Sequence, residues 1–441
     1  MPRIALTTLG CKVNQFESAA FSSALTEAGC TIVPFAQEAD VYIINTCAVT
    51  GRAGQQSRQM IRRAAQQNPK AKIVVTGCYA QVEEKTVQEL CDSPVVLVGN
   101  AQKDKVVQAA LQTMTEKKQV DLGDIGTQKT ICPLPVRNFS GRTRAFMRIQ
   151  DGCNNFCSYC IVPYTRGRSR SLPREQVFAQ IAVFVAEGYQ EIVITGINTG
   201  KYGLDLCEGE TMSSLLRSLC SLFPSVRFRL SSLEPNEITD ELLDIVLAHP
   251  NLMPHFHIPL QSGDDQILAR MNRRYTSVFF AKAIEKIQQK LPYAGIGCDV
   301  LCGFPGETDV AAARTFSFLK GLPISSLHVF PYSKRPGTPA AEMEGQVSAQ
   351  EKTRRVNCLR SLDKELRQRF YTSQIGRSFR VLVERRSKEK KYVLQGFTEN
   401  YIPLQFEGPA TVLRSVVSVQ LISVEHGYPL GRWMPALEQE T

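Results

Sequence analysis

Short runs of consecutive apolar residues alternate with helical segments in the N-terminal part of the chain. The apolar runs are residues 4–10, 41–46 and 73–77, and the helical segments between them are residues 17–28 and 55–67. Gly29 and Pro69 follow these two segments, and glycine and proline at such positions commonly end helices. Strands that alternate with helices predict a parallel sheet covered by helices, so we expect residues 1–125 to form an α/β domain.

The same alternation returns in the central part of the chain, over residues 138–370. Its apolar runs are residues 146–149, 191–195, 226–230, 256–260, 296–301 and 327–330, and the helical segments between them include residues 177–187, 239–248 and 278–289. These lengths are typical of a parallel (β/α) barrel or partial barrel, whose active site forms at the carboxyl ends of the strands. His257 has apolar neighbours, so it is predicted to be a hydrogen-bonded core residue and not a ligand.

The pattern changes again after a basic amphipathic segment at residues 354–370. The short strand candidates that follow are residues 379–383, 392–397 and 416–422. Short strands separated by turns predict a small β-barrel over residues 372–437. Residues 115–138 have weak periodicity and are interpreted as a linker. The predicted fold class is α/β, with an N-terminal parallel α/β domain, a central partial barrel and a small C-terminal all-β barrel.

Composition limits the classes of protein that the chain can represent. A chain of 441 residues with 43% hydrophobic residues can bury several cores, and 21% charged residues argue against disorder. The N-terminus reads directly as a strand and not as a signal peptide, and no apolar run approaches the ~18 residues of a spanning helix. We therefore expect a cytoplasmic protein without a membrane segment.

Positive charge is concentrated in two regions of a chain whose net charge is +10. Residues 137–170 contain seven Arg and one Asp, and residues 351–400 contain fourteen Lys or Arg against six Asp or Glu. Clustered basic residues predict a phosphate-bearing partner, although a basic stretch is also common on a solvated face.

Three cysteines lie within eight residues just after the first central strand candidate: Cys153, Cys157 and Cys160. Thiolates at this spacing can hold three corners of a cubane iron–sulfur cluster and leave the fourth iron open to a substrate. A structural zinc site commonly has four ligands in two separated pairs, and a disulfide would leave one cysteine over. The spacing therefore favours an open cluster, with these three residues as its ligands and as the catalytic centre.

A second set of cysteines is recognised by its position in the predicted sheet. Cys11, Cys47 and Cys78 each follow one of the three N-terminal apolar runs, and the carboxyl ends of parallel strands meet at one edge of a sheet. Any one of them alone would be interpreted as a small buried apolar residue. Three at the same edge predict a second iron–sulfur cluster.

The spacing Cys-x-x-x-Cys-x-x-Cys, with an aromatic residue before the last cysteine, resembles the signature of the radical S-adenosylmethionine enzymes. The longer stretch 153–171 is similar to the methylthiotransferases of that superfamily. The resemblance implies two 4Fe-4S clusters, one on each cysteine set, with S-adenosylmethionine on the open iron of the first. It also implies that an electron, from a donor such as a flavodoxin-type reductant, cleaves S-adenosylmethionine to a 5'-deoxyadenosyl radical. The cofactor contacts expected from the matching segments are Tyr159, Gly196, Ser232, Glu234, Gln261 and Gly303.

Two further resemblances concern the substrate. Residues 10–15, Gly-Cys-Lys-Val-Asn-Gln, resemble the methylthiotransferase branch that acts on threonylcarbamoyladenosine in tRNA, and the C-terminal region resembles a TRAM domain, an RNA-binding barrel. Basic residues beside aromatic ones suit RNA, because phosphate attraction is combined with stacking on unpaired bases. The expected RNA contacts are Arg385, Arg386, Lys388, Lys390, Lys391, Tyr392 and Phe397.

The resemblance thus implies a tRNA methylthiotransferase that converts N6-threonylcarbamoyladenosine next to the anticodon to its 2-methylthio derivative. Isopentenyladenosine in tRNA and a ribosomal-protein aspartate are the alternative substrates. An iron–sulfur RNA-binding sensor without catalysis would also have a cluster and a basic surface. Such a sensor would not explain why glycine-rich segments end successive central strands.

Overall fold

The computed structural model describes residues 1–114, 116–387 and 392–435. They form three successive units, which are an α/β sheet, a partial barrel and a closed barrel, as the hydrophobic pattern predicts. Within these ranges no helix has both the length and the apolar character that crossing a membrane requires. Three of the expected RNA contacts, Lys388, Lys390 and Lys391, lie outside the described residues.

The first unit is a six-stranded parallel sheet with helices packed against it. Its strands are β1 (Arg3–Thr8), β2 (Thr31–Val33), β3 (Val41–Thr46), β4 (Lys72–Gly77), β5 (Val95–Val98) and β6 (Lys118–Asp121). Its helices are α1 (Lys12–Glu27), α2 (Gly51–Gln67), α3 (Cys78–Val82), α4 (Glu84–Gln88) and α5 (Val106–Leu111). The strand order is β2-β1-β3-β4-β5-β6. Every residue of β3 is buried, because apolar clusters cover the sheet on both sides.

The second unit is built from parallel strands with helices between them. Its strands are β7 (Ala145–Arg148), β8 (Gln150–Asp151), β9 (Arg170–Ser171), β10 (Glu191–Thr195), β11 (Arg227–Leu230), β12 (His255–Gln261), β13 (Gly295–Cys302) and β14 (Ser326–Pro331). Its helices are α6 (Val162–Arg166), α7 (Arg174–Ala186), α8 (Met212–Leu222), α9 (Asp240–Ala248), α10 (Asp265–Arg270), α11 (Ser277–Lys290), α12 (Asp309–Gly321), α13 (Pro339–Glu342) and α14 (Ala349–Thr372).

Six of these strands curve into a partial barrel. One parallel sheet has the order β11-β10-β7, and the other has the order β12-β13-β14. Two bridges, Phe228 to Leu252 and Ser232 to His257, join the two sheets between β11 and β12. No ladder joins β7 to β14 in the described part of the chain, so the barrel is open along that side. The predicted partial barrel is therefore confirmed.

The third unit is a closed five-stranded barrel, as expected for a TRAM-like domain. Its strands are β15 (Ser378–Arg386), β16 (Val393–Phe397), β17 (Pro403–Glu407), β18 (Val416–Glu425) and β19 (Tyr428–Trp433). They neighbour each other in the order β15-β16-β17-β19-β18. α14 packs along β14 and also contacts β18, so this long helix connects the second unit to the third.

The loop between β16 and β17 connects the third unit to the amino-terminal end of the partial barrel. The side-chain amide of Asn400 in this loop donates a hydrogen bond to the carbonyl oxygen of Tyr293 (2.8 Å). Gly295, at the start of β13, gives the loop room, since a Cβ there would lie 2.1 Å from the carbonyl oxygen of Asn400. The third unit therefore closes the amino-terminal end of the partial barrel.

Candidate active site

Cys153, Cys157 and Cys160 lie on a loop that begins and ends in a short antiparallel ladder. β8 and β9 pair through Gln150 with Ser171 and Asp151 with Arg170. The loop then turns back on itself, with the Cys153 amide donating to the carbonyl of Gly167 (3.1 Å) and the Cys160 amide to the carbonyl of Cys157 (2.9 Å). These contacts fold the three cysteine positions into one compact turn.

The three thiols share one space. Cys157 is buried, and Cys153 and Cys160 are half-buried. Burial, with the neighbouring Cys157 thiol as a further cause, raises the pKa of Cys153 to about 11 and the pKa of Cys160 to about 12. All three are free thiols. Thiols that crowd together away from water fit a cationic metal centre, since bound iron would hold them as thiolates.

An arginine from the neighbouring barrel segment supports this loop. Arg273 donates a hydrogen bond to the Sγ of Cys157 (3.3 Å) and forms an ion pair with Glu234, which follows β11. Its guanidinium also lies 4.8 Å from the centre of the Tyr275 ring. Arg273 thus connects the cysteine loop to the carboxyl end of β11. Nothing in the sequence marks Arg273 as a site residue, because only the fold brings it to the loop.

The residues expected to contact S-adenosylmethionine follow the strands around this loop. Gly196 comes directly after β10, and a Cβ there would lie 2.9 Å from the Oε1 of Gln150, so the close packing of these two segments requires glycine. The other expected contacts are the half-buried Tyr159, Glu234 and Gln261, the exposed Ser232 and the buried Gly303. The position a Cβ would take at Gly303 faces the Lys352 side chain on α14. Contact between any of them and the cofactor stays a prediction.

Cys11, Cys47 and Cys78 come together at one edge of the first sheet. They follow β1, β3 and β4, which are neighbours in the sheet. A Cβ on Gly10 would lie 2.8 Å from the Sγ of Cys47, so Gly10 is needed where the first two cysteine segments meet. Burial and the nearby thiols of Cys78 and Cys11 raise the pKa of Cys47 to about 12. Three converging thiols fit a second iron–sulfur cluster.

A buried ionic network lies between the two cysteine sets. The guanidinium of Arg166 contacts Glu17 on α1 and Asp151 in β8, each at 3.0 Å, and donates to the Oδ1 of Asn14 (2.6 Å). Lys103 forms a second ion pair with Glu17 (2.8 Å). Burial alone would raise the pKa of Glu17, but Arg166 and Lys103 hold it well below its ordinary range. The network therefore fixes the first unit against the cysteine loop.

This buried ionic network is not predicted from the sequence. The sequence indicates the network only through the carboxylate of Glu17. This residue lies beside Phe16, Ala19 and Ala20, all of which are buried in a core shared with the central barrel. A charged residue on the buried face of a helix requires a partner. The identity of that partner depends on the tertiary fold, since Arg166 is 149 positions away in the chain.

The interior of the partial barrel contains a cavity of about 660 Å³. At one end, Lys12 lines the cavity and donates to the Oγ of Ser231 (3.5 Å), which follows β11. At the other end Tyr401, from the β16–β17 loop, stacks on Phe397 with ring centres 4.6 Å apart and on His255 at 4.5 Å. The cavity therefore extends from the residue after Cys11 to the third unit.

The wall of the cavity next to Tyr401 is held by a buried carboxylate. Glu191 forms ion pairs with Arg229 (2.8 Å), Arg227 (3.0 Å) and Arg144 (3.7 Å). Burial opposes the ionisation of Glu191, but Arg229 and Arg227 lower its pKa to about 2. Arg144 and Arg229 also lie over the face of the Tyr401 ring, at 5.3 and 4.8 Å from its centre. The third unit is thus fixed to the barrel by charge and by aromatic contact.

Two histidines that share the carboxylate of Asp299, His257 and His328, line the same cavity. Asp299 accepts a hydrogen bond from the Nε2 of His257 (2.8 Å), and the Nδ1 of His328 lies 3.5 Å from the same oxygen. Burial opposes the ionisation of Asp299, but these hydrogen bonds hold its pKa below the ordinary value. His257 is hydrogen-bonded, as predicted, but it is only half-buried and lines the cavity.

The expected RNA contacts that the structure describes occupy two different environments. Arg385, Arg386 and Tyr392 are exposed on the third unit. Phe397 lies instead at the cavity, where the Arg144 guanidinium is 5.0 Å from its ring centre. Phe397 thus belongs to the contact between the second and third units. Binding of RNA by any of these residues stays a prediction.

Comparison with known proteins agrees with this architecture. Residues 3–99 match the model of "Uncharacterized protein family UPF0004", and residues 147–319 match the "Radical SAM superfamily". A solved radical S-adenosylmethionine methyltransferase, TsrM from Kitasatospora setae, shares the fold with a TM-score of 0.56 over 77% of this chain and 75% of that chain, at 14% identity. The fold and the cysteine loop define a radical S-adenosylmethionine enzyme, a class that uses S-adenosylmethionine and a 4Fe-4S cluster.

Relatives in sequence define the class more narrowly. The chain is 39% identical to "Threonylcarbamoyladenosine tRNA methylthiotransferase MtaB" of Bacillus subtilis, over 100% of this chain and 98% of the relative. It is 32% identical to "tRNA-2-methylthio-N(6)-dimethylallyladenosine synthase" of Carboxydothermus hydrogenoformans, over 94% of this chain and 96% of the relative. The chain belongs to the methylthiotransferase family of radical S-adenosylmethionine enzymes.

Proposed function

We propose that the protein is a tRNA methylthiotransferase that adds a methylthio group to carbon 2 of N6-threonylcarbamoyladenosine next to the anticodon. The observation that carries the proposal is the arrangement of two cysteine sets around the buried Glu17–Arg166 ion pair. Similarity along the whole chain to a threonylcarbamoyladenosine tRNA methylthiotransferase supports the choice of substrate.

Two metal sites have separate roles in this proposal. Cys153, Cys157 and Cys160 would hold a 4Fe-4S cluster, and Cys11, Cys47 and Cys78 would hold a second one. The carbon–hydrogen bond at carbon 2 of adenine is not acidic, so acid–base catalysis would not activate it. When bound, the first cluster would supply the electron that cleaves S-adenosylmethionine to a radical, and the second would supply the site of sulfur transfer.

The protein residues position these groups. Arg273 holds Cys157 and Glu234 in one arrangement, and Glu234 follows a strand whose end faces the cofactor in our assignment. The proposed contacts of S-adenosylmethionine are Tyr159, Gly196, Ser232, Glu234, Gln261 and Gly303. The apolar residues of the barrel core surround this edge and would limit the access of water to a radical.

The third unit and the cavity are assigned to RNA. Exposed Arg385, Arg386 and Tyr392 would contact the tRNA backbone and unpaired bases, as would Lys388, Lys390 and Lys391 outside the described residues. Phe397 would contact RNA only through the cavity. The proposal includes a cytoplasmic location, where tRNA and a flavodoxin-type reductant are available.

Product analysis separates the proposed substrate from its alternatives. The reconstituted protein is incubated without oxygen with S-adenosylmethionine, a reductant and tRNA that carries either threonylcarbamoyladenosine or isopentenyladenosine, and the nucleosides are analysed by mass spectrometry. We expect the 2-methylthio product with the first tRNA. A product with only the second tRNA would assign the protein to the other branch, and absence of 5'-deoxyadenosine would contradict radical chemistry.

A further inference from the structure

The barrel cavity is lined by cations without a matching set of carboxylates. Its wall contains the five basic residues Lys12, Arg142, Arg144, Arg229 and Arg367 together with three histidines. Among the described residues, no Asp or Glu lines it. A concave site with this imbalance favours an anionic ligand, because its cations attract a negative charge that the protein does not provide.

The cations differ in how far the protein already neutralises them. Arg144 and Arg229 are paired with Glu191, and Arg367 is paired with Asp363 at 2.9 Å. For Lys12, by contrast, no described carboxylate lies within ion-pair distance, and its hydrogen-bond partner is the Ser231 hydroxyl at 3.5 Å. Among these four cations, Lys12 is therefore the one best able to accept a new negative partner.

Two further polar groups in the same cavity have unused hydrogen-bonding capacity. The Oε1 of Gln15, one helical turn after Lys12, is buried and has no hydrogen-bond partner in the described structure. The same holds for the Nδ1 of His255, which stacks on Tyr401. Buried polar atoms without partners are rare in folded proteins, and a bound ligand or a water molecule can satisfy them. The cavity thus offers both donors and acceptors to a polar ligand.

We propose that Lys12 binds the carboxylate of the threonylcarbamoyl side chain, inside the partial barrel, and thereby selects the modified adenosine. This inference rests on the proposed function. In the purine ring N1 lies between carbon 2 and the carbon that bears N6, so a side chain on N6 that folds over N1 comes close to carbon 2. Lys12 adjoins Cys11, and the base must present carbon 2 to that cysteine set.

The position of Lys12 favours the side-chain carboxylate over an RNA phosphate. Both residues are exposed, but Arg142 precedes β7, at the amino-terminal end of the barrel, whereas Lys12 adjoins Cys11 and contacts Ser231 after β11. An isopentenyl side chain is neutral and would offer the ammonium of Lys12 no counter-charge. Lys12 would therefore favour the substrate that carries a carboxylate over one that carries a neutral side chain.

The test compares wild type with Lys12→Met on three anticodon stem-loops, by fluorescence anisotropy and by kcat/KM for methylthiolation. The first stem-loop carries threonylcarbamoyladenosine, the second its carboxamide and the third unmodified adenosine. We expect Lys12→Met to weaken binding of the first about 10- to 100-fold, the range of a lost charge-assisted hydrogen bond. We expect no change with the second and third, which lack the carboxylate. Lys286→Met, on the outer surface, is the matched control and should behave as wild type.

The outcomes distinguish a side-chain carboxylate from a backbone phosphate as the bound anion. They also distinguish failure of the carboxylate site from failure of the proposed function. Equal weakening of all three stem-loops would show that Lys12 meets a backbone phosphate and would overturn the inference. So would wild type binding the carboxamide as tightly as the carboxylate, a comparison that requires no variant to fold. If the binding preference is found but no methylthio product forms with wild type, the proposed function fails while the carboxylate site stands.

Discussion

The guanidinium of Arg166 lies 3.0 Å from the carboxylate of Glu17, and both side chains are almost completely buried. Arg166 ends α6, the helix that follows the Cys153–Cys160 loop, and Glu17 lies on α1, the helix that begins after Cys11. This ion pair thus joins α1, which follows Cys11, to α6, which follows the Cys153–Cys160 loop. Their relative placement depends on a charge interaction that is protected from solvent.

Removing Arg166 should be strongly destabilising. We expect Arg166→Met to lower the free energy of unfolding by about 3–5 kcal/mol, because Glu17 and Asp151 lose a buried counter-charge. Arg217→Met, which breaks an exposed ion pair with Glu241, should cost less than about 1 kcal/mol. Urea unfolding followed by circular dichroism measures both. Similar costs for the two variants would show that the buried pair has no special role.

Stability should depend on pH through Glu191. Its pKa of about 2 is below the ordinary value for a glutamate, so its ionisation stabilises the folded state above pH 4.5 by about 3 kcal/mol, and this contribution is lost as the pH falls towards 2. Glu191→Gln should therefore be less stable than wild type at pH 7, and the difference should shrink at pH 3.5. Urea unfolding at both values checks the sign, and a difference that grows towards acid would contradict it.

Gly10 should be essential for the N-terminal cysteine set. Gly10→Ala would place a Cβ 2.8 Å from the Sγ of Cys47 and would also strain a backbone whose φ is +94°. Gly29→Ala is the matched control, because φ there is +80° but nothing lies within 4 Å of the new Cβ. Backbone strain should cost each variant about 1–2 kcal/mol of stability, and Gly10→Ala should lose more because of the clash. We expect about four irons per chain in Gly10→Ala and about eight in Gly29→Ala. Equal iron content in the two variants would argue against a cluster site where the Cys11 and Cys47 segments meet.

Tyr401 should control the attachment of the third unit. Tyr401→Ala removes the stacking on His255 and Phe397 and the contacts with Arg144 and Arg229, so we expect the third unit to unfold at a lower temperature than the rest. Tyr401→Phe keeps the ring and loses the hydrogen bond from Arg144 (3.2 Å), at a cost of about 1 kcal/mol. Scanning calorimetry distinguishes the two. A single unchanged transition in Tyr401→Ala would show that the loop contributes little.

The sequence was most informative where chemistry is local. Cys153, Cys157 and Cys160 are close in the chain, so their spacing alone predicts a shared site. Cys11, Cys47 and Cys78 are distant in the chain, but the alternation of strands and helices was sufficient to place them at one sheet edge. The strands and the partial barrel follow from the same periodicity.

Side-chain pairing between distant elements was not predictable in the same way. Arg273 and Arg166 look like ordinary basic residues in the sequence, and only the folded chain brings them to Cys157 and Glu17. The packing of Phe397 on Tyr401 is likewise not predicted from the sequence. A residue's partner on another unit depends on how the units dock, and hydrophobic periodicity within one unit carries no information about docking.

The most direct measurement of the central claim compares Cys47→Ala and Cys157→Ala in anaerobic assays with threonylcarbamoyladenosine-containing tRNA. Mass spectrometry quantifies 5'-deoxyadenosine and the 2-methylthio nucleoside in the same samples. We predict that Cys157→Ala forms neither product, whereas Cys47→Ala forms 5'-deoxyadenosine without the methylthio nucleoside. Retention of methylthio transfer in Cys47→Ala would contradict the division of roles between the two cysteine sets.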